Sequence, residues 1–133
     1  MVTADRRGRF YTVDPAEAAT AQREHGFVPT DEAAGITLLD RPVEGAVAVH
    51  RLRLREGHQA YLLSTDPREI ERVRGQFDDE GVVGYVYARP GDGRMELTRY
   101  SRDGDWRVAR ADRADLPRAG FHVDGPLGYV PRG

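Results

Sequence analysis

The sequence predicts a mainly β protein with short helices, built as three repeats of about 45 residues in a β-trefoil-like, pseudo-threefold domain. Three observations lead to this fold class. The stretch FDDEGVVGYV at residues 77–86 returns as FHVDGPLGYV at residues 121–130. A third version, FVPTDEAAGITL, occupies residues 27–38 with one extra residue. An Asp-Pro pair and a helix-like segment precede the copies at residues 27–38 and 77–86. We therefore predict a single domain, 1–133, with units of approximately 1–44, 45–92 and 93–133.

Strands are predicted at the start of the second and third units. The segments VHRLRL (residues 49–54) and LTRYSR (residues 97–102) are each followed by a turn, REGHQ and RDGDW. Each unit is expected to run strand, turn, strand, short helix, strand, turn, strand, which gives about four short strands per unit. A linear solenoid of three units is the alternative architecture.

The helices are predicted from their start signals. Two Asp-Pro pairs supply an N-cap and a first helical residue, with a glutamate in the capping-box position: Asp14, Pro15 and Glu17, then Asp66, Pro67 and Glu69. Gly26 is a predicted helix stop. In the third unit Asp112 can act as a cap, but Pro117 limits the helix to one turn.

The repeated residues are interpreted mainly as fold instructions. Phe77 or Phe121 is expected to form one core layer per unit with Val83 or Leu127 and with Val86 or Val130. Gly81 and Gly125 fit turns that need positive φ, and the preceding Glu80 or Asp124 is expected to bind turn amides. Gly35, Gly84 and Gly128 are placed where a second stretch of chain approaches closely.

Composition narrows the functional classes. The net charge is −2 and all 20 cationic residues are Arg, so no basic field indicates nucleic-acid binding. The Arg-rich, Lys-free composition is typical of a GC-rich, for example actinobacterial, genome. No apolar run is long enough to predict membrane insertion. The absence of Cys excludes disulfides and thiolate chemistry. Without a signal peptide the chain is expected to be cytoplasmic, or extracellular if it is an excised domain.

The units resemble a bacterial tandem-repeat family of unknown function, found in secreted and cell-wall-associated proteins. Its pattern is approximately V-Y-R-L, F-Y-T-T-S and G-W-x-x-E-G-I-x-x-Y-V. Here Val49, Arg51, Leu52 and Leu97, Arg99, Tyr100 match the first part, and Phe10, Tyr11, Thr12 and Ser64, Thr65 match the second. Glu80-Gly81 with Tyr85-Val86, and Gly125 with Tyr129-Val130, match the third. Phe replaces the family Trp in every unit. The resemblance implies an accessory binding role and supplies no catalytic residues.

No catalytic, metal or cofactor site is predicted. The four histidines fall at unrelated repeat positions, and the segment SRDGDW (residues 101–106) is predicted to be a hairpin turn, because it lacks the later acidic ligand of a calcium loop. Polar and aromatic residues near the hairpin turns are the candidate ligand-binding residues: Arg51, His58, Arg99, Tyr100, Asp105 and Trp106. Core packing is the competing interpretation for Trp106.

These features favour a non-catalytic binding module that recognises carbohydrate or a cell-envelope ligand. Two alternatives stay open: a cytoplasmic protein-interaction or regulatory partner, and a small cofactor-free enzyme of specialised metabolism with a deep pocket of titratable groups. A glycan or a protein is therefore the expected partner. Recurrent pockets in the three units would favour a multivalent binder, and a single distinct pocket would favour a specific receptor or an enzyme.

Overall fold

The computed structural model describes residues 38–57, 60–111 and 115–132. Its elements follow in chain order: β1 (Ala46–Leu54), β2 (Tyr61–Ser64), α1 (Pro67–Val73), β3 (Phe77–Tyr87), β4 (Arg94–Arg102), β5 (Asp105–Arg110), α2 (Asp115–Arg118) and β6 (His122–Pro131). The prediction of a mainly β chain with short helices is confirmed for this part of the chain.

The strands form one antiparallel sheet in the order β2-β1-β3-β6-β4-β5. Residues 46–87 and residues 94–131 have the same element order, and we call them the first and second ββαβ segments. In each, a hairpin leads to a helix, and the third strand returns to pair with the free side of the first. The third strands, β3 and β6, join the segments at the pair Tyr87–Tyr129.

The described residues do not confirm a β-trefoil. The prediction was about four strands per unit, arranged in hairpins. Each described segment instead has three strands, which belong to one shared sheet. The difference arises at Gly81, where a turn was expected. The 11-residue strand β3 runs through this glycine without ending. Gly81 has φ 95° and lies beside a break in the register with β1. Gly125 has φ 123° beside a similar break in β6. Positive φ is confirmed at both, but they form β-bulges and not turns.

The predicted N-cap and first residue of α1 are confirmed, but Glu69 does not complete a capping box, because the Asp66 amide donates to Ser64 Oγ at 3.2 Å and the Glu69 carboxylate binds Arg99. The side chain of Asp66 caps α1 by accepting a hydrogen bond from the Arg68 amide at 2.9 Å, and Pro67 is the first helical residue. Helix α2 has one turn. Asp103 (φ 50°) and Gly104 (φ 79°) form the two-residue loop between β4 and β5, which is the geometry of a type I′ hairpin turn. Asp14, Gly26 and Asp112 lie outside the described residues.

The central core receives a side chain from every strand: Val49, Leu63, Val86, Leu97, Val108, Leu127 and Val130. Strands β2 and β5 lie at opposite ends of the strand order, yet Leu63 and Val108 share this cluster. The sheet must therefore curl strongly around its concave face. This curl brings the first segment's hairpin and helix against the second segment.

Each segment also has a smaller core beneath its own helix. Leu52, Leu62 and Phe77 pack with Ile70 and Val73 of α1. Tyr100, Ala109, Leu116 and Phe121 pack in the second segment. Successive side chains of a strand point to opposite faces, so Val49 and Leu52 of β1 serve different cores. The prediction that Phe77 and Phe121 share a layer with Val86 and Val130 is therefore wrong.

Two glycines allow the close approach of a neighbouring stretch of chain, as predicted. A Cβ added to Gly128 would lie 2.3 Å from Val86 Cγ2 and 3.0 Å from the Tyr87 carbonyl oxygen. A Cβ added to Gly84 would lie 2.9 Å from Leu38 Cβ and 3.3 Å from the Leu39 carbonyl oxygen. The same junction thus occurs twice, with residues 38–39 over residues 84–85 and residues 86–87 over residues 128–129. Gly35 lies outside the described residues.

The backbone pairing at these junctions is also equivalent. Leu39 and Tyr85 exchange two backbone hydrogen bonds of 2.9 and 2.8 Å, and Tyr87 pairs with Tyr129. In each case the later residue directly follows the close-approach glycine. The two junctions are therefore equivalent in side-chain packing and in backbone pairing.

Candidate functional site

Arg51 and Arg99, two of the predicted ligand-binding residues, are held in internal ion pairs. Arg51 in β1 is 5% exposed, and its Nε donates to Glu80 Oε1 at 2.7 Å. In β4, Arg99 Nη2 donates a hydrogen bond to Glu69 Oε2 at 2.9 Å, and Nη1 donates to Glu69 Oε1 and to the Leu63 carbonyl. The expected role of Glu80 in binding turn amides is therefore wrong. Asp79 binds the Gly81 amide, at 2.8 Å.

The pair of Arg99 and Glu69 joins the two segments, since Glu69 belongs to α1 and Arg99 to β4. Burial raises the pKa of Glu69, but hydrogen bonds from Arg99 and Ser64 and the charges of Arg99 and Arg72 outweigh it. The net effect holds the pKa below its ordinary value of 4.5. Both side chains are 16% exposed. The carboxylate is thus committed to a structural pair.

The remaining predicted site residues lie in different surroundings. Tyr100 is 2% exposed in the small core beneath α2. Trp106 packs edge to face on Phe77, with ring centroids 5.5 Å apart, beside the core beneath α1. Asp105 Oδ2 accepts a hydrogen bond from Arg107 at 3.0 Å. His58 lies outside the described residues. Ser101, near the turn between β4 and β5, donates its hydroxyl hydrogen to Asp124 at 2.9 Å.

A cleft of about 280 Å³ opens between α1 and the start of β3, and none of the five described candidates lines it. Its apolar lining residues are Leu52, Ile70, Val73 and Phe77. Its charged lining residues are Arg55, Glu71, Arg74, Asp78 and Asp79. We call these two sets the floor and the rim. The volume is near the lower end of the range typical of small-molecule sites, which combine apolar walls with a few polar groups.

Carboxylates and cations on the rim are paired with one another. Arg55 Nε donates to Asp78 Oδ1 at 2.6 Å. Arg74 Nη1 donates to both carboxylate oxygens of Glu71 at 3.0 Å. His50 Nδ1 lies 3.1 Å from both oxygens of Asp79. The acidic residues of the FDDEG stretch therefore contact His50, Arg51 and Arg53 of β1 and Arg55 just after it.

The second segment differs at the equivalent place. Arg102 and Arg107 lie with their guanidinium carbons 4.6 and 4.5 Å from the Phe121 ring centroid. The strand registers make these two arginines the counterparts of Leu54 and Leu62 in the first segment. Guanidinium groups thus cover Phe121 through cation–π contacts, whereas Phe77 borders the cleft.

Sequence reasoning missed the cleft, although part of its signal was present. Ile70 and Val73 are three residues apart and therefore lie on the same face of α1, with Glu71 and Arg74 beside them. Phe77 was recognised as a core residue only. The missing information was the position of α1 over β1 and β3.

Within residues 38–57, 60–111 and 115–132, no three His, Asp or Glu side chains are grouped to hold a metal ion. No helix in the same ranges has the length and apolar character needed to cross a membrane. The described part of the chain is an antiparallel sheet with two ββαβ segments and a mixed apolar and charged cleft.

Comparison with protein-family models shows which family the chain belongs to. A family model described as a domain of unknown function (DUF5648) matches residues 1–131, and the chain belongs to that family. The resemblance to a family of unknown function is confirmed in this form. Searches among curated proteins and among solved structures find no match.

Proposed function

We propose that this protein is a non-catalytic binding module that recognises carbohydrate or another cell-envelope ligand, and that the cleft between α1 and β3 is its site. The observation that carries the proposal is the mixed lining of the cleft, with Leu52, Ile70, Val73 and Phe77 below a charged rim. A sugar ring has the same two characters, because its C–H face is apolar and its hydroxyls donate and accept hydrogen bonds.

The difference between the segments supports a single specific site over a multivalent one. Phe77 borders the cleft, whereas Arg102 and Arg107 cover Phe121. A protein with one site gains no avidity from its repeats, so its affinity depends on this cleft alone. Of the six residues predicted from the sequence, Arg51 and Tyr100 are buried and Arg99 is held by Glu69, which leaves His58, Asp105 and Trp106 as candidates for a secondary contact.

The test is a glycan-array screen followed by calorimetry on the full chain. The variants Arg74→Ala and Glu71→Ala remove rim side chains that are 67% and 71% exposed, so they should leave the fold intact. We expect each to weaken binding of the best glycan about fivefold or more. Arg68→Ala is the matched control, since Arg68 is exposed on the same helix and does not line the cleft.

Absence of any glycan bound at millimolar concentration would contradict the carbohydrate proposal. Equal loss in the Arg68→Ala control would show that the binding surface lies elsewhere on α1. An interaction partner or a small enzyme would then become the leading alternative.

We also propose that the chain closes as three units around a pseudo-threefold axis, with three strands and a helix in each complete unit. The support is the junction that occurs twice, at Gly84 and at Gly128. The first copy has a glycine near the corresponding place, Gly35, which is one residue further from Leu38 than Gly84 is from Val86.

A further inference from the structure

We infer that the cleft between α1 and β3 selects uncharged glycans and discriminates against both cationic and anionic ones. The inference rests on the proposed function and adds the chemical class of the ligand. It starts from the ion pairs that already occupy the rim. Arg55 is paired with Asp78, Arg74 with Glu71, and Asp79 lies beside His50.

A charged ligand group meets a like charge at each of these pairs. A ligand carboxylate that binds the remaining donors of Arg55 is brought near Asp78, whose oxygen lies 2.6 Å from Arg55 Nε. A ligand ammonium that binds Glu71 is brought near Arg74, which contacts both Glu71 oxygens. The repulsion between like charges cancels much of the gain from the new contact.

A hydroxyl group meets no such repulsion. A carboxylate accepts up to about four hydrogen bonds and a guanidinium donates five, so a single ion pair leaves capacity on both partners. Ligand hydroxyls can donate to Asp78 or Glu71 and accept from Arg55 or Arg74 while each pair stays intact. The neutral, hydrogen-bonding ligand therefore fits the rim best.

The charge balance around the cleft agrees with this selection. Asp78 receives a second cation, because Arg53 Nη2 donates to its Oδ2 at 3.3 Å, and Arg53 also lies 3.6 Å from Glu80. Arg51 completes the pairing of Glu80 at 2.7 Å. Four arginines (Arg51, Arg53, Arg55 and Arg74) thus face four carboxylates (Glu71, Asp78, Asp79 and Glu80), so the net charge of this network favours a ligand of neither sign.

The experiment is an array that carries neutral, amino-bearing and uronic-acid glycans on matched backbones, for example β-1,4-linked tetramers of glucose, N-acetylglucosamine, glucosamine and glucuronic acid. Binding of neutral glycans at least about tenfold tighter than their charged counterparts supports the inference. Affinity for the best neutral glycan should change less than about twofold between 20 and 300 mM NaCl, because no ion pair forms on binding.

Rim variants separate this inference from the proposed function. Arg74→Ala frees the Glu71 carboxylate, so affinity for the amino glycan should rise about threefold while affinity for the neutral glycan falls. Tighter binding of a charged glycan to the unaltered protein, with a steep salt dependence, would overturn the inference and leave the carbohydrate proposal standing. Failure of every glycan to bind would instead overturn the proposed function itself.

Discussion

Arg99 of β4 and Glu69 of α1 form a bidentate ion pair that links the helix of the first ββαβ segment to the central strand of the second. The same guanidinium donates to the Leu63 carbonyl of β2 at 3.2 Å. Thr65, just after β2, donates to the Leu127 carbonyl of β6 at 3.0 Å. These bonds link the first segment to the second where the sheet curls.

The substitution Glu69→Gln should reduce stability at neutral pH by about 2 kcal/mol, because it removes the charge from a mostly buried pair with Arg99. Folding lowers the pKa of Glu69 below its ordinary value of 4.5, so the ionised carboxylate stabilises the folded state of the unaltered protein. The contribution is complete above the unfolded pKa and is lost as pH falls through the lower folded pKa.

Urea unfolding of both proteins at several pH values measures this effect. The stability difference should be largest at pH 7 and should shrink below pH 4.5 as the carboxylate of the unaltered protein takes up a proton. Glu71→Gln is the control, because Glu71 is 71% exposed and its pair with Arg74 is worth little. A constant difference from pH 7 to pH 3 would show that the Glu69 charge does not stabilise the fold.

Gly128→Ala should be strongly destabilising. The new methyl group would lie 2.3 Å from Val86 Cγ2 and 3.0 Å from the Tyr87 carbonyl oxygen, so β3 and β6 must separate. Overpacking of this kind costs about 2–3 kcal/mol, which thermal denaturation should register as a drop in Tm of about 10 °C.

The matched control is Gly75→Ala, because a Cβ at Gly75 meets nothing within 4 Å and Gly75 does not adopt positive φ. This control should unfold at the same temperature as the unaltered protein or slightly higher. A Gly128→Ala protein as stable as this control would mean that the close approach of β3 and β6 is not required for folding.

Gly35→Ala tests closure by three units. If the first unit repeats the junction seen at Gly84 and Gly128, this substitution should cost about as much as Gly128→Ala, namely 2–3 kcal/mol. The measurement is again thermal denaturation of the full chain. A Tm within about 1 °C of the unaltered protein would contradict the three-unit proposal and leave the two described segments unaffected.

Trp106→Ala separates the two interpretations of the single tryptophan. The indole packs on Phe77 at 5.5 Å and contacts the core beneath α1, so its removal should cost about 3 kcal/mol. Trp106→Phe should cost less than half as much, because it keeps an aromatic ring against Phe77. A stable Trp106→Ala protein that loses glycan binding would show that the indole is a ligand contact and not a packing residue.

Local structure could be read from the sequence wherever a residue type has one dominant physical role. Asp66 and Pro67 start α1, Asp103 and Gly104 make the hairpin turn, and Gly84 and Gly128 allow close packing. In each case the reason is local, either a capping bond, a positive φ or the absence of a Cβ.

Features that depend on long-range pairing could not be read in the same way. The FDDEG stretch contains the glycine of a turn, but β1 pairs on both sides of Gly81 and turns it into a bulge. The Arg99–Glu69 pair and the cleft depend on where α1 lies over neighbouring strands. Twenty arginines and 22 acidic residues offer too many possible partners for sequence alone to select these few.

The central claim is that the cleft between α1 and β3 is the ligand site. Amide chemical-shift mapping by NMR, with the best neutral glycan from the array titrated into the full chain, tests it most directly. The largest shifts are predicted at Ile70, Val73, Arg74 and Asp78, with little change at Tyr100 and Val123 of the second segment. Saturable binding whose largest shifts fall on the second segment, with none around α1, would contradict the claim.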